Sequence, residues 1–151
     1  MTKFLLAIAA LLANTMFTCT AQTAAKPVLN HIAVHVNNLT ISTAFYQQIV
    51  GIDTVPEPFH DGKHTWFAIG NGSNLHLISG AAAPTGHNKF NHLCFSVPSL
   101  QAYIAKLQKN NIAFENWAGE KNGVTLRVDA VHQIYFKDPD GYWIEVNDAI
   151  K

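Results

Sequence analysis

The sequence predicts an α+β fold of two tandem βαβββ modules that form a cleft or half-barrel sheet with the helices on the outside. Three observations carry that expectation. Residues 30–39 recur without a gap at residues 91–100, so that Asn30, His31, Val36 and Leu39 reappear as Asn91, His92, Val97 and Leu100 with the apolar positions between them kept. Each copy is followed by a helix signal, and each helix by three strand-like runs. A half with one helix covers only one sheet face, so the two halves must share the other face or enclose a cleft with it. The modules span about residues 28–80 and 90–149.

The first helix presents Ile41, Ala44, Phe45, Gln48 and Ile49 as its inward stripe, and Gly51 stands where a left-handed cap would end it. Strand-like runs follow at 52–56, 64–69 and 74–79. In the second half Ser99 is placed to cap a helix whose stripe is Leu100, Tyr103, Ile104 and Leu107, ending at Asn110-Asn111. Its strands lie at 112–117, 131–137 and 142–147. The last two are joined by Asp138-Pro139-Asp140-Gly141, in which proline sets the first central angle of a turn and glycine accepts the position that follows, so this is a hairpin.

The chain has 151 residues, 48% of them hydrophobic and 13% charged, which suits one globular domain. Ten basic and ten acidic residues leave no field to draw it to nucleic acid. Residues 1–21 read as a signal peptide: Lys3 supplies the positive start, 4–13 is an uncharged apolar run too short to span a bilayer, and Cys19-Thr20-Ala21 offers small residues at the cleavage point. The mature domain is then 22–151, exported to the periplasm or secreted. The one route to a membrane is lipidation of Cys19, as in a lipoprotein. Cleavage leaves Cys94 as the sole cysteine, so no intrachain disulfide holds the fold, and a buried inert thiol is the expectation for it.

Eight histidines against two cysteines is the oddity of the composition. Side chains alternate along a strand, so His31 and His92, at matched positions of duplicated strands, are expected to face one cleft. Gly72 precedes His76 by the same interval as Gly141 precedes Glu145, which makes those two equivalents as well. Three imidazoles and a carboxylate suit one borderline divalent ion (zinc, nickel, cobalt, iron or manganese) with positions left open for a small-molecule substrate. His35 lies on the His31 face roughly 13 Å along the strand, at the cleft mouth. Gln133 and Tyr135 share a face expected to look into the cleft, and Arg127 is a candidate substrate anchor. Trp66 is assigned a structural or rim position, and His60, His64 and His87 are assigned to loops or edges.

These residues resemble the vicinal oxygen chelate superfamily, which includes glyoxalase I, methylmalonyl-CoA epimerase, fosfomycin-modifying thiol transferases, extradiol dioxygenases and bleomycin-binding proteins. The resemblance covers nearly all of 28–149 and is carried by Asn30-His31-Ile32, Phe45-Tyr46, Asn91-His92-Leu93 and the run from Phe136 through Asp138-Pro139-Asp140-Gly141-Tyr142-Trp143-Ile144-Glu145. That last run is most similar to glyoxalase I, which implies Glu145 as both metal ligand and proton carrier in a lyase or isomerase acting on vicinal oxygens. The chain departs from glyoxalase I at His76, where that enzyme usually has glutamate, and the export signal argues against a glutathione adduct as substrate. The resemblance also implies two other enzyme classes, a transferase acting on an epoxide antibiotic of fosfomycin type and an extradiol-type dioxygenase, and one non-enzyme class, a ligand-sequestering binding protein. Relatives close the cleft within one chain or across a homodimer, and both arrangements stay open here.

Overall fold

The computed structural model describes residues 26–82 and 86–149. The expected signal peptide, with Cys19, lies outside the described residues. Nine strands and two helices follow one another as β1 (His31–Val36), α1 (Leu39–Phe45), β2 (Thr54–Val55), β3 (His64–Ala68), β4 (Asn74–Ser79), β5 (His92–Ser96), α2 (Leu100–Lys109), β6 (Phe114–Glu115), β7 (Thr125–Leu126), β8 (His132–Lys137) and β9 (Trp143–Asn147). A π-helical turn, Tyr46–Val50, continues α1.

Each half forms its own sheet. The first runs β1-β4-β3-β2 and the second β5-β9-β8-β6, with β7 also paired to β8. Both are mixed, because β1 lies parallel to β4 and β5 parallel to β9 while the remaining pairs are antiparallel. The register makes the duplication exact at the ligand candidates. His76 faces Ala33 across β1 and β4, and Glu145 faces Cys94 across β5 and β9, in each case two residues beyond the repeated histidine.

Asn38 caps α1 by accepting from Ile41 N at 3.1 Å, and Ser99 caps α2 by accepting from Ala102 N at 3.2 Å. The inward face of α1 differs from the expected stripe: Ile41 and Gln48 are exposed, whereas Ser42, Tyr46, Ile49 and Val50 are buried. Polar anchoring explains the shift. The Ser42 hydroxyl donates to Asp140 Oδ2 at 2.7 Å, Tyr46 Oη donates to Asp138 Oδ2 at 2.9 Å, and the π turn then changes the phase of the residues that follow. Gly51 caps the segment in the left-handed region at φ 88°, as expected. The hairpin at 138–141 also forms, with Gly141 N bonded to Asp138 O and the Asp138 carboxylate accepting from Asp140 N and Tyr142 N.

One continuous apolar core joins the halves. Val34, Val36, Phe67, Leu75 and Leu77 from the first sheet and Phe114, Ile134, Phe136, Ile144 and Val146 from the second meet Tyr46, Ile49, Tyr103 and Leu107 of the helical segments. Phe45 and Tyr103 both pack on Phe136, and Tyr46 packs on Phe67. Each sheet therefore carries its helix on the face opposite the ligand candidates. By alternation, His31 and His76 line one outward face, and Glu145 with Tyr135 another.

Candidate metal centre

The described residues bring the four ligand candidates together as two pairs, one in each half. Among the described residues of one chain, no group of three or more His, Cys, Asp or Glu side chains able to hold a metal ion forms, so of the two arrangements the sequence leaves open, closure within one chain is not the one seen. The physical reason is the shared core. The faces that pack on the helices are the ones turned together, so the ligand faces point away from each other.

In the second half His92 and Glu145 are adjacent. The His92 Nδ1–H donates to Lys89 O at 2.7 Å, an acceptor only, which turns Nε2 toward Glu145 Oε2, 3.2 Å away. That separation is about what two donors have when each sits roughly 2.0–2.1 Å from one cation. Glu145 is buried, and its oxygens are held from several sides. Tyr135 Oη donates to Oε2 at 2.6 Å, while Asn147 Nδ2 at 2.9 Å and Cys94 Sγ at 3.2 Å donate to Oε1. Burial pushes the carboxyl's pKa up, but the hydrogen bonds from Tyr135, Asn147 and Cys94, with the His92 ring beside it, outweigh that and hold it below the usual value.

Gln133 and Tyr135 do lie on the Glu145 face, where both are buried and already committed: Gln133 Nε2 donates to Tyr135 Oη at 2.6 Å, which in turn donates to Glu145 Oε2. They fix the carboxylate rather than stand open to solvent. Arg127 grips Asp129 through Nε and Nη2 at 3.1 and 2.7 Å, with Nη1 3.9 Å from Glu145 Oε1, so it sits at the rim of this pair. Cys94 is exposed as a residue, yet its sulfur is enclosed by Glu145 and Asn147. Partial burial and the neighbouring Glu145 carboxylate push the thiol up to about 12, which disfavours the thiolate, although the residue is exposed rather than buried as expected.

In the first half His76 is buried and its Nε2 has no hydrogen-bond partner. Burial first, then the neighbouring His64 and His31 rings, lower its pKa, so the ring is neutral with a lone pair to offer. His31 Nδ1 is bonded to Asn30 Oδ1 at 2.8 Å, which leaves its Nε2, and the two rings lie 6.0 Å apart. His35 is exposed on the same face, one rung beyond the Ala33–His76 pair. An orphaned buried imidazole nitrogen in one half and, in the other, a histidine Nε2 set beside a carboxylate oxygen are the donor chemistry of a divalent-cation site.

The structure adds residues that the strand pattern did not mark. His64 is a β3 residue whose ring lies 4.9 Å from that of His76, with Nδ1 on Asp61 Oδ1 at 2.9 Å, and so is not the edge or loop histidine expected. Trp66 lies 4.6 Å from His76 and 5.3 Å from His31. Asn147 was within reach of alternation from Glu145; His64 and Trp66 were within reach of alternation once β3 was paired with β4. Lys89, which pairs with Glu115 and lies 4.6 Å from the Trp143 ring centre, was not.

Residues 28–146 match the family described as the Glyoxalase/Bleomycin resistance protein/Dioxygenase superfamily. Among curated relatives, the "Glyoxylase I 4" of Arabidopsis thaliana is 30% identical over 125 residues, covering 78% of this chain and 68% of that protein. The metallothiol transferase FosB of Staphylococcus epidermidis is 27% identical over 127 residues, covering 79% and 80%. Among solved structures, the fosfomycin resistance protein FosX of Listeria monocytogenes superposes with a TM-score of 0.66 at 22% identity, covering 83% of this chain and 96% of that one, which shows a common fold.

Proposed function

The chain belongs to the Glyoxalase/Bleomycin resistance protein/Dioxygenase superfamily, and from that premise we propose that it is an exported, divalent-metal-dependent lyase or isomerase of glyoxalase type acting on a small substrate with vicinal oxygens. The observation that carries this reading is the His92–Glu145 pair, with its ring tautomer fixed by Lys89 O and its carboxylate fixed by Tyr135, Asn147 and Cys94. A ligand-sequestering protein has no need of a carboxylate so constrained. The fosfomycin-type relatives keep a transferase to an epoxide as the second reading, since both FosB and FosX cover most of this chain.

His31, His76, His92 and Glu145 would hold the cation. When bound, it would act as a Lewis acid that stabilises negative charge developing on the substrate's paired oxygens. Glu145 then takes up and returns the proton, and Tyr135 keeps its Oε2 in place while it does so. Arg127, at the rim, meets the part of the substrate that projects toward solvent.

The two pairs complete one site when two copies join, the first-half face of one lying over the second-half face of the other. The second-half face carries exposed apolar side chains of the kind a second copy would cover, Phe90 and Trp117. The strands that carry His31 and His92 are the edge strands of their sheets. The test is to mix a His31→Ala/His76→Ala chain with a His92→Ala/Glu145→Gln chain and measure bound metal and turnover of hemithioacetals. If sites are shared, each mixed dimer has one intact site and random exchange restores about a quarter of the metal sites. No recovery, with both variants folded, refutes the shared site. A wild-type protein that binds no divalent ion refutes the enzyme reading.

A further inference from the structure

The first-half face holds a feature that the proton chemistry does not use, a group of rings around the ligand candidate His76 that includes an indole N–H with no partner. Trp66 stands directly opposite His76 across β3 and β4, with ring centres 4.6 Å apart. His64 lies 4.9 Å away on the same strand face as Trp66, and Phe59 stacks near-parallel to His76 at 5.9 Å from the loop before β3. Phe59 is also 4.6 Å from His64 and 6.5 Å from Trp66. The second-half face also sets rings near its histidine, Tyr135 at 5.6 Å with Trp117 beyond it, but there Tyr135 Oη is spent on Glu145.

Ordinary core packing does not account for this group. Phe59 is 55% exposed, yet its loop is pinned, since the Glu57 carboxylate accepts from Phe59 N at 2.7 Å and from His60 N at 2.5 Å. His64 is fixed in turn by Asp61. A phenyl ring held in solvent by a bonded loop, beside a half-buried indole, is a surface built to be covered. Independently, Trp66 Nε1 is a buried donor with no partner, beside the partnerless His76 Nε2. An indole N–H normally finds an acceptor when buried, and none is supplied by the chain.

We propose that the substrate carries an aromatic ring next to its paired oxygens, that Phe59 and Trp66 form the shelf that receives the ring, and that Trp66 Nε1 donates to an oxygen on it. This rests on the metal-site reading above and names its substrate class. The oxygens would approach the cation at His76 while the ring lies over the rings that flank that histidine. Phe59 and Trp66 are thus specificity residues, whose removal leaves the ligand set untouched.

The experiment compares two hydroxamates, benzohydroxamate and acetohydroxamate, on the metal-loaded mature protein by titration calorimetry. They present the same pair of vicinal oxygens and differ in the ring. The shelf predicts that benzohydroxamate binds about tenfold tighter or more, an effect of the size expected for burying one aromatic face. Phe59→Ala should erode that preference while leaving metal stoichiometry and acetohydroxamate affinity unchanged, whereas Trp66→Leu should erode it, weaken both compounds through the lost N–H donor, and leave metal stoichiometry unchanged. Trp66→Phe should keep part of it and lose the quenching of Trp66 fluorescence. Equal affinity of the two compounds in the wild type, or a preference that survives in both Phe59→Ala and Trp66→Leu, overturns the shelf. A protein that holds no ion overturns the metal reading separately; the shelf is then read on the metal-free protein, where failure of benzohydroxamate to quench Trp66 overturns it.

Discussion

Asp140 is the residue on which the union of the two halves can be tested most sharply. Its carboxylate, 3% exposed, accepts from Asn37 N at 2.6 Å and from the buried Ser42 hydroxyl at 2.7 Å, so a turn of the second module grips the start of the first module's helix. Asp140→Ala removes both acceptors and leaves the buried Ser42 hydroxyl without a partner, while Asn37 N, on an exposed residue, can turn to water. A buried donor costs about 1–3 kcal/mol and a water-reachable one less, so the change amounts to about 3 kcal/mol. For a domain of this size that is roughly 6–12 °C in Tm. Ser42→Ala, which removes one donor, should cost about half as much, and the double variant should be less destabilised than the sum because both changes break the same bond. Asp129→Ala, in an exposed pair with Arg127, is the control and should shift stability by less than about 1 kcal/mol. Urea melts followed by tryptophan fluorescence give the values. An Asp140→Ala protein within about 1 kcal/mol of wild type would show that the halves are held by the apolar core alone, and the account of why α1 turns Ser42 and Tyr46 inward would fail.

Tyr135→Phe removes the donor at Glu145 Oε2 and should raise the Glu145 carboxyl toward its ordinary value. Because the folded pKa is depressed, Glu145 stabilises the fold above its unfolded pKa and that contribution is lost as pH falls through the folded value. The variant should therefore show a shallower acid loss of stability and a metal-release midpoint moved to higher pH; an unmoved midpoint counts against the role given to Tyr135. Asp138 behaves oppositely, since burial holds its carboxyl above the usual range despite donors from Tyr142, Tyr46 and Asp140. Its contribution is fully present below the unfolded pKa and is lost as pH rises through the folded one, so Asp138→Asn should flatten the stability profile across mildly acidic pH, and equal slopes would refute this. Exported protein should begin at Gln22 by N-terminal sequencing, and a retained Met1 or a lipid on Cys19 would show other processing.

The repeat made the architecture legible because duplicated strands announce themselves by identical spacing, and the register bears this out at Ala33–His76 and Cys94–Glu145. What the pattern misjudged was the first helix. Apolar periodicity counted Ile41 and Gln48 inward and passed over Ser42 and Tyr46, whose burial depends on carboxylates about a hundred residues away. The same limit hid the relation between the halves: matched positions show that two residues are equivalent, but not which way the two sheets face. His64 was missed because its meaning comes from a partner strand, through its contact with His76. The short β7, Thr125–Leu126, went unseen because two paired residues leave no alternation to read.

Duplication followed by divergence has given the halves unequal chemistry at the same rung. Where the second half has Glu145 under hydrogen bonds from Tyr135, Asn147 and Cys94, the first has His76, neutral, bare at Nε2 and walled by rings. Among the four ligand candidates Glu145 is the one carboxylate, so under the lyase or isomerase chemistry proposed above the group that removes a proton from one carbon would also deliver it to the next. That requires a carboxylate which keeps its position through both transfers, and the bonds to its two oxygens provide this. The same bonds make Glu145 a weak base, so proton removal must draw on acidification of the substrate rather than on the strength of the acceptor. If so, substrates whose carbon acid is already activated by a conjugated ring should be turned over faster than aliphatic ones by more than their difference in binding. A kcat that is the same for phenyl- and methyl-substituted hemithioacetals would show that Glu145 removes the proton without that help.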